Sequence, residues 1–280
     1  MKTLKYILPL LIAVFISSCT NNDDVLILDE TTELNFIKTF SNAEHTVDVF
    51  STKKTLEQGY NDLYIRIEEK STSTYIKNAS LTWKPVMHMT NKVHSSPRST
   101  ITKTEGKETL YNGYIVFQMA ENALEKWDLT IDYTIDNVNY TVKEFISVPA
   151  AVKKNVTVFT GANDIKYVLA LIDPKEPTVG LNDFKIGLYK MESMMSFPVV
   201  ENFMIKHDPR MPSMGNHSSP NNTDLTFNTA SKIYEGELSL TMTGYWKLNL
   251  MLYNNLNQLV KGEEVTESNE ASSLFLEIEF

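Results

Sequence analysis

The amino-acid sequence predicts an all-β protein made of two tandem antiparallel β-sandwiches. Three observations lead there: short runs in which apolar and polar residues alternate, frequent Gly, Asn, Pro and Ser between those runs, and a duplication of the whole pattern. His94-Ser95-Ser96-Pro97 returns as His217-Ser218-Ser219-Pro220, and Tyr111-Asn112-Gly113 returns as Tyr234-Glu235-Gly236. Upstream, Gly59-Tyr60-Asn61-Asp62 corresponds to Gly180-Leu181-Asn182-Asp183, and Phe40-Ser41-Asn42-Ala43 to Phe159-Thr160-Gly161-Ala162. The offset stays between 119 and 123, a register that a duplicated domain keeps and a short solenoid repeat does not.

Taken in chain order, residues 1–18 read as a leader, with Lys2 and Lys5 before the apolar stretch Tyr6 to Ile16, which is too short to span a bilayer. It ends at Ser17-Ser18-Cys19, which resembles the lipobox of bacterial lipoproteins. That resemblance implies cleavage before Cys19 and lipidation of its sulfur, and so a membrane partner through the lipid anchor. Asp23-Asp24 is loosely similar to the surface-export signal of Bacteroidetes lipoproteins. The expected location is the cell envelope, the outer membrane ahead of the inner, with the leaflet left open. Residues 19–36 read as an acidic tether, 37–149 as the first sandwich and 150–280 as the second, with the boundary near Pro149-Ala150-Ala151.

Within the first copy, Asp62 to Ile67 and Thr130 to Tyr140 alternate as strands. Tyr111, Gly113, Ile115, Phe117 and Met119 share one face by their spacing of two. Leu124 to Trp127 is expected to form a single helical turn. In the second copy Asp183 to Tyr189 alternates, and Tyr234, Gly236, Leu238, Leu240 and Met242 form the inner face of the matching strand. Short, evenly punctuated strands of this kind predict an immunoglobulin-like arrangement.

Composition narrows the function. With 26 basic and 35 acidic residues the formal charge is −9, which argues against a nucleic-acid surface. One cysteine excludes a disulfide framework and any multi-cysteine metal cluster. No Gly-x-Gly-x-x-Gly, P-loop, Gly-x-Ser-x-Gly or His-Glu-x-x-His occurs, and the reading is of a protein without catalysis.

Four of the five histidines fall in equivalent segments, accompanied by methionines. Met211, Met214 and His217 follow one another at intervals of three, with His207 and Met242 as further donors; Met87, His88, Met89, His94 and Met119 form a second candidate set. Thioether and imidazole are soft to intermediate donors that suit copper, Cu(I) above all, where Mg²⁺ or Ca²⁺ would want carboxylates. The competing reading makes the methionines core filler, Met119 and Met242 especially, and the His-Ser-Ser-Pro segments turns closed by serine hydroxyls.

The second copy also resembles a family. Gly180-Leu181-Asn182-Asp183, Phe197-Pro198-Val199-Val200, Met211-Pro212-Ser213-Met214-Gly215-Asn216-His217, Tyr234-Glu235-Gly236 and Met242-Thr243-Gly244-Tyr245-Trp246 look like the YtkA-like domain, related to FixH-type proteins. The resemblance implies an envelope β-sandwich that handles copper beside efflux or oxidase-assembly proteins. The first copy departs from it, lacking Pro-Ser-Met and replacing Gly-x-Trp by Glu125-Lys126-Trp127. The alternative left open is a non-metal structural or interaction module that binds protein or glycan at the cell surface.

Overall fold

The structure, a computed structural model, describes residues 29–280. The expected leader and Cys19 lie outside the described residues.

The chain is all-β and forms two tandem immunoglobulin-like sandwiches. The first contains β1 (Asn35–Ser41), β2 (His45–Ser51), β3 (Gly59–Glu69), β4 (Thr74–Tyr75), β5 (Ser80–His88), β6 (Val93–His94), β7 (Thr102–Lys103), β8 (Leu110–Phe117), β9 (Lys126–Ile135) and β10 (Val138–Ile146). The second contains β11 (Val156–Thr160), β12 (Lys166–Asp173), β13 (Gly180–Lys190), β14 (Met204–Met211), β15 (His217–Ser218), β16 (Thr223–Asn228), β17 (Ile233–Leu240), β18 (Tyr245–Tyr253), β19 (Leu259–Lys261) and β20 (Phe275–Glu279). One layer of the first copy runs β1-β2-β3-β8-β7 with β4 beside β3, and the other runs β10-β9-β5-β6. The second copy repeats the order, but β16 pairs with both β17 and β14, so its two layers join into one continuous sheet. The strand matching β10 is split there into β19 and β20, both paired to β18.

Alternation decides which residues meet in each core. Tyr111, Ile115 and Phe117 of β8 pack with Trp127, Leu129 and Ile131 of β9. Tyr234, Leu238 and Leu240 of β17 pack with Trp246, Leu248 and Leu250 of β18. The opposite face of β8 is not given to solvent. Tyr114 and Val116 turn toward Val156, Val168, Ala170, Tyr189 and Phe197, an apolar layer shared by the two copies.

The repeated motifs are folding devices. The Tyr111 hydroxyl donates to the Lys77 carbonyl and accepts from the Ala79 amide, both at 2.8 Å. Tyr234 does the same with the Val200 carbonyl (2.9 Å) and the Phe203 amide (3.2 Å). The glycine two residues on admits the chain that crosses over it: a Cβ on Gly113 would lie 2.8 Å from the Thr100 carbonyl oxygen, and one on Gly236 2.4 Å from that of Thr223. Asn61 and Asn182 each reach back to the backbone of the residue four earlier, Glu57 and Thr178, and close the turn that opens their strands. The His-Ser-Ser-Pro segments carry the chain between layers. After His94 the Ser95 hydroxyl donates to the Pro85 carbonyl (2.7 Å), and Arg98 bridges to Ile115 of the opposite layer.

Two local expectations are corrected. Leu124 to Trp127 is no helical turn: Asn122 accepts from the amides of Leu124 and Glu125 to close a bend, and β9 starts at Lys126. A short polar side chain there satisfies the backbone without helix. The tether expected over 19–36 also ends early. Asp29 pairs with Arg66 (2.6 Å), Glu30 accepts from the Thr109 amide and hydroxyl, and β1 has begun by Asn35.

Candidate metal centre

The strand registers fix which donors of the two copies are equivalent. Met87 stands opposite His94 across β5 and β6, and opposite Trp127 across β5 and β9. Met211 stands opposite His217 across β14 and β15, one step past the Arg210–Lys247 pair and so level with Trp246. Met119 and Met242 are matched by their tryptophans: Trp127 Nε1 donates to the Met119 carbonyl and Trp246 Nε1 to that of Met242, both at 3.0 Å. Each copy therefore places two methionines, one histidine and one tryptophan at the same end of its sandwich.

In the first copy these groups converge. His94 is buried, and its Nδ1 lies 2.7 Å from its neighbour's carbonyl, that of Ser95. A carbonyl only accepts, so this contact assigns the ring proton to Nδ1 and leaves Nε2 its lone pair. That lone pair faces Met119 Sδ at 3.2 Å. Gln118 flanks Nδ1 at 3.0 Å, and its Oε1 has no other partner; with the amide turned over, that oxygen shares the Nδ1 proton. The Trp127 ring meets the imidazole edge-on, with centroids 5.4 Å apart. Met87 is fully buried in the same core, and Met89, on the same face of the chain, packs against it. His88 belongs elsewhere. Its side chain alternates to the other face, where Nε2 pairs with Asp128, a buried carboxylate that also takes Lys143 at 2.9 Å.

In the second copy they do not converge. Met211 is buried, Met242 is half-buried against the core, and Met214 and His217 stand exposed at the rim. The loop explains the difference. Pro212–Met214 forms a 3-10 turn ended by Gly215 and Asn216, both left-handed, and Arg210 and Glu270 hold Asn216 outward. The first copy closes the same connection with a tighter turn, the Met89 amide donating to the Lys92 carbonyl. His207 is equivalent to Trp83, not to a histidine: it pairs with Leu250 where Trp83 pairs with Ile131. Four residues along a strand put it about 13 Å from Met211. It packs edge-on against Phe184 at 4.8 Å and meets the Thr223 carbonyl at 3.0 Å, while its Nδ1 is buried without a partner. Met211, Met214, His217, His207 and Met242 thus form no single cluster.

Two facts were out of reach of sequence reading. His45, which stands alone in the chain, is buried between Tyr133 (3.2 Å) and Glu69 (3.2 Å) in a polar network. Tyr60, Tyr114 and Tyr189 gather between the copies. Neither carries a local motif. Among the described residues no three His, Cys, Asp or Glu side chains come together, so a metal here would need thioether donors.

Burial holds the pKa of His94 and of His207 below the ordinary histidine value. A depressed folded-state pKa means that the unfolded chain binds protons first as pH falls. The stability contributed by the two neutral rings is complete above about pH 6.5 and is lost on acidification below it. Denaturant midpoints should be flat from neutral pH to about 6.5 and then decline, and His207→Gln should flatten part of that decline. An unchanged profile in the variant would remove His207 from this account.

No family model matches the chain, and no curated protein matches it. Among solved structures, FdeC, described as a broadly conserved Escherichia coli adhesin, aligns at 14% identity with a TM-score of 0.25, over 79% of this chain and 62% of that one. This chain thus spans less than two thirds of the adhesin chain that it matches.

Proposed function

We propose that this chain is a non-catalytic copper-binding protein of the cell envelope, anchored by lipid at Cys19, and that its first copy holds Cu(I). The observation that supports the reading is His94 Nε2 facing Met119 Sδ at 3.2 Å, with the ring proton assigned to Nδ1 by its contact to the Ser95 carbonyl, next to Met87, Met89 and Trp127. Two lone pairs held face to face away from water are a poor arrangement for the empty protein and a good one for a soft cation. The Ser95 carbonyl acts as the outer partner that fixes the tautomer and aims the ring. Thioethers hold Cu(I) weakly enough for exchange, which fits delivery to an efflux or oxidase-assembly partner. The likeness of the second copy to YtkA-like domains supports copper handling by the chain and does not bear on which copy holds the ion.

The test is a Cu(I) competition titration against a chromophoric chelator, with Cys19→Ser throughout so that the lone thiol takes no metal. His94→Ala with Met119→Ala should weaken binding about a hundredfold or more, whereas Met211→Ala, Met214→Ala and His217→Ala together should change it less than about threefold. The opposite ranking would return the site to the second copy. No binding at all would leave the non-metal reading, a module that recruits protein or glycan.

A further inference from the structure

The His94 segment continues into a feature that copper binding does not use. Arg98 lines a cleft of about 400 Å³ between the copies, walled by Trp83 and Ser99 on one side and Met195 and Phe197 on the other. The size is that of a small-molecule site. Arg98 spends one nitrogen, Nη1, on the Ser95 hydroxyl (2.9 Å) and the Ser96 carbonyl (3.2 Å). No carboxylate among the described residues pairs with it, although acidic residues outnumber basic ones in the chain. Half-burial of an unpaired cation is costly, and desolvation accordingly lowers the Arg98 pKa. A planar cation with donors to spare beside apolar walls has complementary chemistry in one class of molecule.

We infer that the cleft between the copies binds a small organic carboxylate, its charge on Arg98 and its apolar part against Trp83, Met195 and Phe197. Both copies contribute walls, so the site exists only in the tandem chain. It needs no metal.

Phenylacetate is a suitable probe and phenylacetamide its neutral twin, titrated into the metal-free full chain. The reporter is the Trp83 indole N–H resonance, identified by its loss in Trp83→Phe; that group donates to the Ser99 carbonyl at 2.9 Å. Phenylacetate should shift the resonance saturably, phenylacetamide should bind at least about tenfold more weakly, and added salt should weaken only the acid. Arg98→Lys should bind less tightly than the native chain, and Arg98→Met should not bind. Equal binding of acid and amide, no saturable shift, or full binding by a folded Arg98→Met protein would overturn the assignment. Should Arg98→Met fail to fold, the comparison of acid with amide on the native chain decides alone.

Discussion

Replacing Trp127 by alanine is expected to lower the unfolding free energy by about 3–5 kcal/mol, the range for removing a large aromatic from a closed core. The indole is fully buried and meets Phe117 edge-on with centroids 5.1 Å apart. Its N–H also holds the Met119 carbonyl, and that bond has an exact counterpart in role at Trp246 and Met242. Trp246→Ala should therefore cost a similar amount, since that ring is equally buried. The phenylalanine variants separate packing from positioning. Each keeps most of the ring and removes one hydrogen bond to a part-buried carbonyl, at about 1 kcal/mol. Trp127→Phe should also weaken Cu(I) binding, because Met119 loses its tie, whereas Trp246→Phe should leave binding unchanged. Chemical denaturation and the copper titration on the same four proteins check both statements. Equal copper affinity in all four would detach the tryptophan from the site.

The second large effect lies between the copies. Val116→Asp should destabilise the chain by about 3–5 kcal/mol, the cost of a buried charge without a partner. Val116 is fully buried in the layer that β8 shares with Val156, Val168, Ala170, Tyr189 and Phe197. Asp62 and Lys175 form an ion pair across the same junction, but both are partly exposed, and exposed pairs contribute about 1 kcal/mol at most. Apolar contact therefore dominates the junction. Calorimetry should show one cooperative transition for the native chain and two for Val116→Asp, while Lys175→Ala should keep a single transition. A single transition in Val116→Asp would mean that the copies are coupled by something other than this layer.

The β class, the duplication and most core residues could be read from the chain because period-two alternation and turn residues act locally. Tyr111 and Gly113, with their partners Tyr234 and Gly236, were visible as a motif, although its meaning, a hydroxyl clamp and a crossing chain, appears only in space. The metal donors of the first copy were visible too, but their ranking was not. Regular spacing in Met211-x-x-Met214-x-x-His217 suggests a wrapping loop, while Gly215 and Asn216 in left-handed conformations turn Met214 and His217 outward. His88 and His207 fall in equivalent segments of the two copies, but they do not occupy equivalent positions. The strand ladders match His207 with Trp83, as the shared Pro209 and Pro85 suggest. Contacts between residues far apart in the chain, such as the Ser95 amide with the Met194 carbonyl, left no local trace.

The difference in how the layers of each copy are joined has a mechanical meaning. Around β16 the backbone ladder passes from one layer to the other, whereas in the first copy the crossing chain touches the far layer by an isolated bridge at Arg98 and the two-residue β7. Prising apart the second copy would mean rupturing amide pairings along that seam. The first can breathe there by letting side chains slide. Opening between layers is therefore expected to cost less in the half that holds His94 and Met119 than in its twin.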